Sequence, residues 1–256
     1  MYTEPCAPLL SSVRVDQKKD FPGTVAAVRE IGYEAAELYG YGNLEANKGI
    51  EVLLAADLKV LSMHVSIDRL RDDREAVAAE AKALSCRNVV CPYLPPETFA
   101  SADTCEGAGR ELNDIGIAFR EMGLDFYYHN HWWELDEIEG KIGFERLFAK
   151  ASTENLSMEL DVCFVKKMKL DPANYIRKHM DRIGLIHLKD GVPEKGETEF
   201  GEGEVDFTEV RKTASESPIL RGFIMEQEHY HEDQLAVVRD GFETVSYTHL
   251  TLPTKA

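Results

Sequence analysis

The run FYYHNHWWE, residues 126–134, decides how this chain is read. It begins as an aromatic strand and ends in His129, His131 and Glu134, residue types that bind metals or carry protons. Three later apolar runs finish the same way: LSMELD at Asp161, IGLIH at His187 and GFIME at Glu226. Successive side chains of a strand face opposite sides. Tyr127 and His129 therefore share a face, joined by His131 if the strand continues that far, as do Glu159 with Asp161, Leu185 with His187 and Lys189, and Ile224 with Glu226 and Glu228. Inward carboxylates gathered at one rim repel each other unless a cation lies among them. A set of carboxylates and imidazoles, each at the C-terminal end of a different strand, is how a barrel enzyme builds a divalent-metal site.

Outward from these ends, strand-length apolar runs alternate with amphipathic segments along the whole chain, the pattern of a parallel sheet covered by helices. The expected strands are Ala7 to Ser12, Ala35 to Leu38, Val60 to His64, Asn88 to Cys91, Asp125 to His129, Ser157 to Asp161, Gly184 to His187 and Phe223 to Glu226. Their ends fall roughly 30 residues apart, the length of one strand-helix-strand unit. Val25, Val28 and Ile31 at helical spacing run up to Gly32, and Leu112, Ile115 and Phe119 up to Gly123. Asp171-Pro172, Asp206-Phe207 and Asp233-Gln234 open further helices with a capping aspartate. The predicted fold is a (β/α)8 TIM barrel with its site at the C-terminal rim, in one domain over residues 1–245. Residues 246–256 form an irregular tail, read as truncated or foreign and, with His249, set aside.

Composition narrows the function. The 256 residues match the size of one such barrel. The net charge of −17 argues against nucleic acid and anionic membranes as partners. No apolar run approaches the roughly 18 residues of a membrane span, and residues 1–14 lack a signal-peptide pattern, so the chain is expected in the cytoplasm. The five cysteines, without a CxxC pair, read as free thiols. Cys163 is taken as structural rather than nucleophilic.

Several other residues are weighed against plainer roles. His64 ends its strand as either a substrate contact or a structural histidine. Trp132 and Trp133 offer an apolar platform for a sugar ring or pack a loop. Lys189-Asp190 contacts substrate oxygens or forms a loop ion pair. FGEGEVDF, residues 200–207, is a turn into a helix rather than a nucleotide loop, and DRLRDDR, residues 68–74, a solvated loop and helix start.

Taken together, IGYEAAEL (31–38), YHNH (128–131) with Glu134, LDV (160–162), HLKD (187–190), GEG (201–203) and MEQ (225–227) resemble the xylose isomerase-like barrels. That family includes sugar phosphate isomerases/epimerases, inosose dehydratases and endonuclease IV. The resemblance implies one divalent metal ion, Mn²⁺ ahead of Mg²⁺, Co²⁺, Fe²⁺ or Zn²⁺, held by His129, Asp161, His187 and Glu226. It also implies an isomerase or epimerase that moves a proton of a keto-sugar through an enediolate. Glu226, Glu134 and His131 are the expected acid/base groups, and His64, Trp132, Trp133 and Lys189 the substrate contacts. The alternative is a lyase or dehydratase sharing the first step; more distant ones are DNA repair and a non-catalytic barrel. The expected partner is a small-molecule carbohydrate, with self-association into a homo-oligomer left open. Family epimerases carry glutamate where His129 stands, and often histidine where Phe164 stands.

Overall fold

A computed structural model describes residues 4–228 and 233–247. Eight parallel strands form its central sheet: β1 (Cys6–Pro8), β2 (Ala35–Leu38), β3 (Lys59–His64), β4 (Asn88–Cys91), β5 (Asp125–His129), β6 (Ser157–Asp161), β7 (Ile183–Leu188) and β8 (Gly222–Met225). From β2 to β8 each strand pairs with the next in chain order and β8 pairs with β1, while an isolated bridge between Leu9 and Glu37 closes the seam between β1 and β2. The expected closed barrel is thus observed, with helices flanking it.

The first strand is shorter than the expected Ala7 to Ser12. Pro8 has no N–H to extend the ladder, and Leu10–Val13 turns into a 3-10 helix that buries Leu10 and Val13 at a spacing of three. Residues 68–74, expected as a solvated loop and helix start, are helical on both sides of a break at Asp73, lying in Ile67–Asp72 and at the start of Arg74–Ala83.

The helices begin and end as their residues require. Asp171 and Asp206 accept from Asn174 N and Glu209 N, and Ser101 and Thr104 form a reciprocal cap on the helix Ala102–Glu121. Gly32, at a φ of 121°, ends Phe21–Ile31, where an added Cβ would lie 2.8 Å from the Phe242 ring. Phe242 belongs to the last helix, Gln234–Tyr247; the rest of the expected tail, with His249, lies outside the described residues. No described helix is long and apolar enough to cross a membrane.

One core lies between sheet and helices, and a second fills the barrel with Leu9, Leu61, Val90, Tyr127, Leu185 and Ile224. Each large apolar side chain buried there contributes about 1.5–3 kcal/mol. This inner layer also sets the site. Two residues beyond Tyr127, Leu185 and Ile224, on the same face, come His129, His187 and Glu226. The apolar floor therefore carries a layer of ionisable groups at its C-terminal end.

Candidate metal centre and active site

The rim holds a quartet and a deeper network that share two histidines. His129, Asp161, His187 and Glu226 each offer a ligand atom, all within 4.8 Å of one another, and all four residues are buried. Beneath them His64 Nε2 lies 2.9 Å from Glu159 Oε2 and 3.2 Å from Glu37 Oε2, while His187 Nε2 lies 2.9 Å from Glu37 Oε2 and 3.2 Å from Glu159 Oε2. Ser62 Oγ donates to the other Glu37 oxygen at 2.6 Å. His187 Nδ1 reaches upward to Glu226 Oε2 at 2.8 Å. His187 thus joins the network below to the rim above.

Charge follows from this geometry. Burial works against the His64 and His187 imidazoliums, but Glu37 and Glu159 outweigh it, lifting His64 to about 10 and holding His187 well above its ordinary value. Burial and the neighbouring His187 push His129 the other way, down to about 3, leaving it a neutral imidazole. Burial pushes Asp161 up to about 7 against the pull of Lys189. Glu226 stays well below the usual range despite burial, because Lys189 and His187 stabilise its charge.

Asp161 is built into the start of the helix Val162–Lys167. Its Oδ1 accepts from Cys163 N at 2.8 Å and Phe164 N at 3.3 Å, and its own N–H donates to Asn130 Oδ1 at 3.1 Å. The other oxygen, Oδ2, is buried with no hydrogen bond, and so is His129 Nδ1. Asp161 Oδ2 faces Lys189 Nζ at 3.7 Å, and His129 Nδ1 faces Glu159 Oε2 at 3.2 Å, so a buried oxygen and nitrogen set without hydrogen bonds at these two atoms fits a divalent cation. The deeper group of His64, His129, Glu159 and His187 also has convergent ligand atoms. There, however, the imidazoliums and carboxylates already compensate one another, so the upper quartet fits an ion better.

Lys189 is buried beside this quartet, with Nζ 3.1 Å from Glu228, 3.5 Å from Glu226, 3.7 Å from Asp161 and 3.9 Å from Glu197. Those carboxylates keep it charged in spite of burial. Asp190 serves the loop instead: its carboxylate accepts from Gly191, Gly201, Gly203 and Val205 N–H groups at 2.8, 2.8, 3.1 and 3.3 Å. A Cβ on Gly203 would lie 2.0 Å from Asp190 Oδ1, which explains the second glycine of GEG.

A cavity of about 240 Å³ opens over the rim, lined in part by Arg14, Tyr39, His64, His129, His131 and Glu226. His131 stacks on Trp133 with ring planes 9° apart. Glu134 is fully buried, and its carboxylate accepts from Tyr128 Oη and His131 N, both at 2.9 Å. Neither Glu134 nor the two tryptophans line this cavity. Trp132 is exposed, with Lys167 Nζ 4.7 Å from its ring centre. Cys163 is buried and its thiol pushed above the ordinary range by burial and Asp161, consistent with a structural thiol.

Sequence reasoning passed over Glu37 as a site residue and left Glu159 without a role. Both had a signal: an acid inside AAEL, a strand buried at every position, and an acid two residues before Asp161. Tyr39 and Tyr93 come from loops just past their strands, and Arg14 from the start of the short helix Arg14–Lys19, where no periodicity marks them.

No curated protein matches the chain significantly by sequence. Solved structures do match its fold. A sugar phosphate isomerase/epimerase from Parabacteroides distasonis superposes with a TM-score of 0.80 at 22% identity, covering 94% of this chain and 98% of its own. A probable 3-DHS dehydratase from Bacillus anthracis gives 0.74 at 13% identity, covering 95% and 99%. The 3-keto-D-glucoside 4-epimerase of E. coli gives 0.72 at 14% identity, covering 96% and 99%. The family model described as xylose isomerase-like TIM barrel matches residues 25–246. The chain therefore belongs to the xylose isomerase-like TIM-barrel family.

Proposed function

We propose that this protein is a divalent-metal-dependent isomerase or epimerase of a keto-sugar or sugar derivative. The observation that carries the reading is the buried quartet His129, Asp161, His187 and Glu226, of which His129 and Glu226 line the mouth cavity. A cavity of about 240 Å³ lies below the roughly 300–1,000 Å³ of drug-sized ligands and suits a single sugar ring.

The quartet would hold the ion, Mn²⁺ first among the candidates, and the ion would supply Lewis-acid stabilisation to an enediolate. Glu226, ionised and lining the mouth, takes the proton from the carbon beside the substrate carbonyl. His131, also lining the mouth, returns a proton to the opposite face or to the neighbouring carbon. Glu134 is a positioning residue that holds the His131 backbone, and Lys189 keeps Glu226 charged. Mn²⁺ ahead of other ions and a cytoplasmic setting belong to this reading, as does a carbohydrate partner. Elimination is the second reading, favoured by the structural likeness to a probable dehydratase, and it shares the first proton transfer.

The test is solvent deuterium exchange into a panel of keto-sugars and inososes with Mn²⁺, together with metal analysis of the purified protein. Exchange that Asp161→Asn and Glu226→Gln both abolish is expected. Full exchange in either variant without stoichiometric metal would overturn the proposal.

A further inference from the structure

A second and larger cavity, of about 1060 Å³, lies beside the mouth. Tyr39, His64, Pro92 and Tyr93 line both, so the two spaces meet at the His64 edge of the site. One wall of this cleft is apolar, with Val65, Ile67 and Leu94, and the helix Ala102–Glu121 forms another with Gly107 and Ala108. The tyrosines at the junction are 46% and 44% exposed, large aromatic faces presented to whatever passes between the cavities. The volume exceeds what one sugar ring needs.

The charges of the cleft select against an anion. Arg69 Nη2 donates to Glu80 at 2.6 Å and lies 3.9 Å from Asp73. Arg71 makes a two-pronged pair with Glu111, at 2.7 and 3.0 Å, and lies 3.7 Å from Asp68. Both guanidiniums are matched by carboxylates, and Glu97 adds another carboxylate to the lining. A phosphoryl group would have to break these pairs and face the acids they leave behind.

We infer that the cleft binds an uncharged aromatic or apolar substituent carried by the sugar whose ring sits at the rim. The substrate is then a keto-sugar glycoside or similarly substituted sugar, rather than a free sugar or a sugar phosphate. This rests on the functional reading above and adds the part of the substrate that the rim does not touch.

Gly107 provides a clean perturbation. A Cβ there meets only Arg110 Nη2, at 3.9 Å, so Gly107→Trp adds bulk at a position that lines the cleft and does not line the mouth. Replacing a helical glycine also removes a source of instability. Deuterium exchange with Mn²⁺ is measured on a free 3-keto-hexose, its methyl glycoside, its aryl glycoside and its phosphate ester, using the full-length wild type and Gly107→Trp. Expected is a kcat/KM for the aryl glycoside roughly tenfold to a hundredfold above the free sugar, in keeping with burial of one aromatic group. Gly107→Trp should remove that advantage and leave the free sugar and methyl glycoside unchanged. Exchange without aryl preference, preference for the phosphate ester, or an aryl preference that survives Gly107→Trp overturns the inference while the isomerase reading stands. Exchange on no member removes both.

Discussion

Asp190→Asn should be among the costliest single-atom changes in this barrel. The wild-type carboxylate takes Gly191 and Val205 N–H on one oxygen and Gly201 and Gly203 N–H on the other. An amide keeps one acceptor and turns the other position into a donor facing two donors. Two backbone N–H groups lose their partner, at about 1–3 kcal/mol each, and the remaining two lose the assistance of a charge. A cost of about 3–6 kcal/mol follows, a large share of the roughly 5–15 kcal/mol that keeps a domain folded. The loop also carries Glu197, whose carboxylate accepts from Gln227 Nε2 and Glu228 N just past β8. The perturbation therefore reaches the rim. Urea unfolding followed by circular dichroism gives the midpoint and slope, and amide exchange at Gly201 and Gly203 reports the loop directly. A variant within about 1 kcal/mol of wild type, with these amides still protected, would refute the four-bond account.

Three further outcomes are expected. Burial pushes Asp161 up to about 7, and Glu159 and Glu37 outweigh burial to keep His187 protonated, so ion uptake at neutral pH releases protons. Apparent affinity should fall as pH is lowered through about 7, and calorimetry in buffers of different ionisation enthalpy would detect the release; pH-independent uptake contradicts the ligand set. Tyr128→Phe removes the hydroxyl donor to Glu134 and should cost about 1–3 kcal/mol. It should lower kcat through His131 while metal affinity stays put, and a weakened ion with unchanged kcat would argue against that assignment. Gly32→Ala forces a side chain at a φ of 121° against Phe242 and should destabilise by about 1–3 kcal/mol, read as a lower Tm; an unchanged Tm counts against that packing.

What could be read from the sequence was what repeats. Alternation along β5, β7 and β8 is local, so the ends at His129, His187 and Glu226 were visible, and the spacing of those ends implied the closed barrel. Glu37 was hidden because its partners, His64 and His187, come from distant strands. The role of GEG was hidden for the same reason, since the carboxylate that requires its glycine stands eleven to thirteen residues earlier. At β1 the apolar run continued past Pro8, and only the missing N–H and the spacing of Leu10 and Val13 reveal the turn.

The seam between β1 and β2 gives the site a place in the order of folding. Glu37 stands at the bridge that closes the barrel, and its hydrogen bond to His187 spans 150 residues of chain. A contact of that separation carries a large loop-closure cost and forms only when the two ends of the sheet meet. The network beneath the rim is therefore completed in the same event as the circle of strands. A chain stalled with its seam open would keep most of its helices and strands yet have no floor for the proposed centre, so recovery of tight ion binding during refolding should track barrel closure rather than the return of secondary structure.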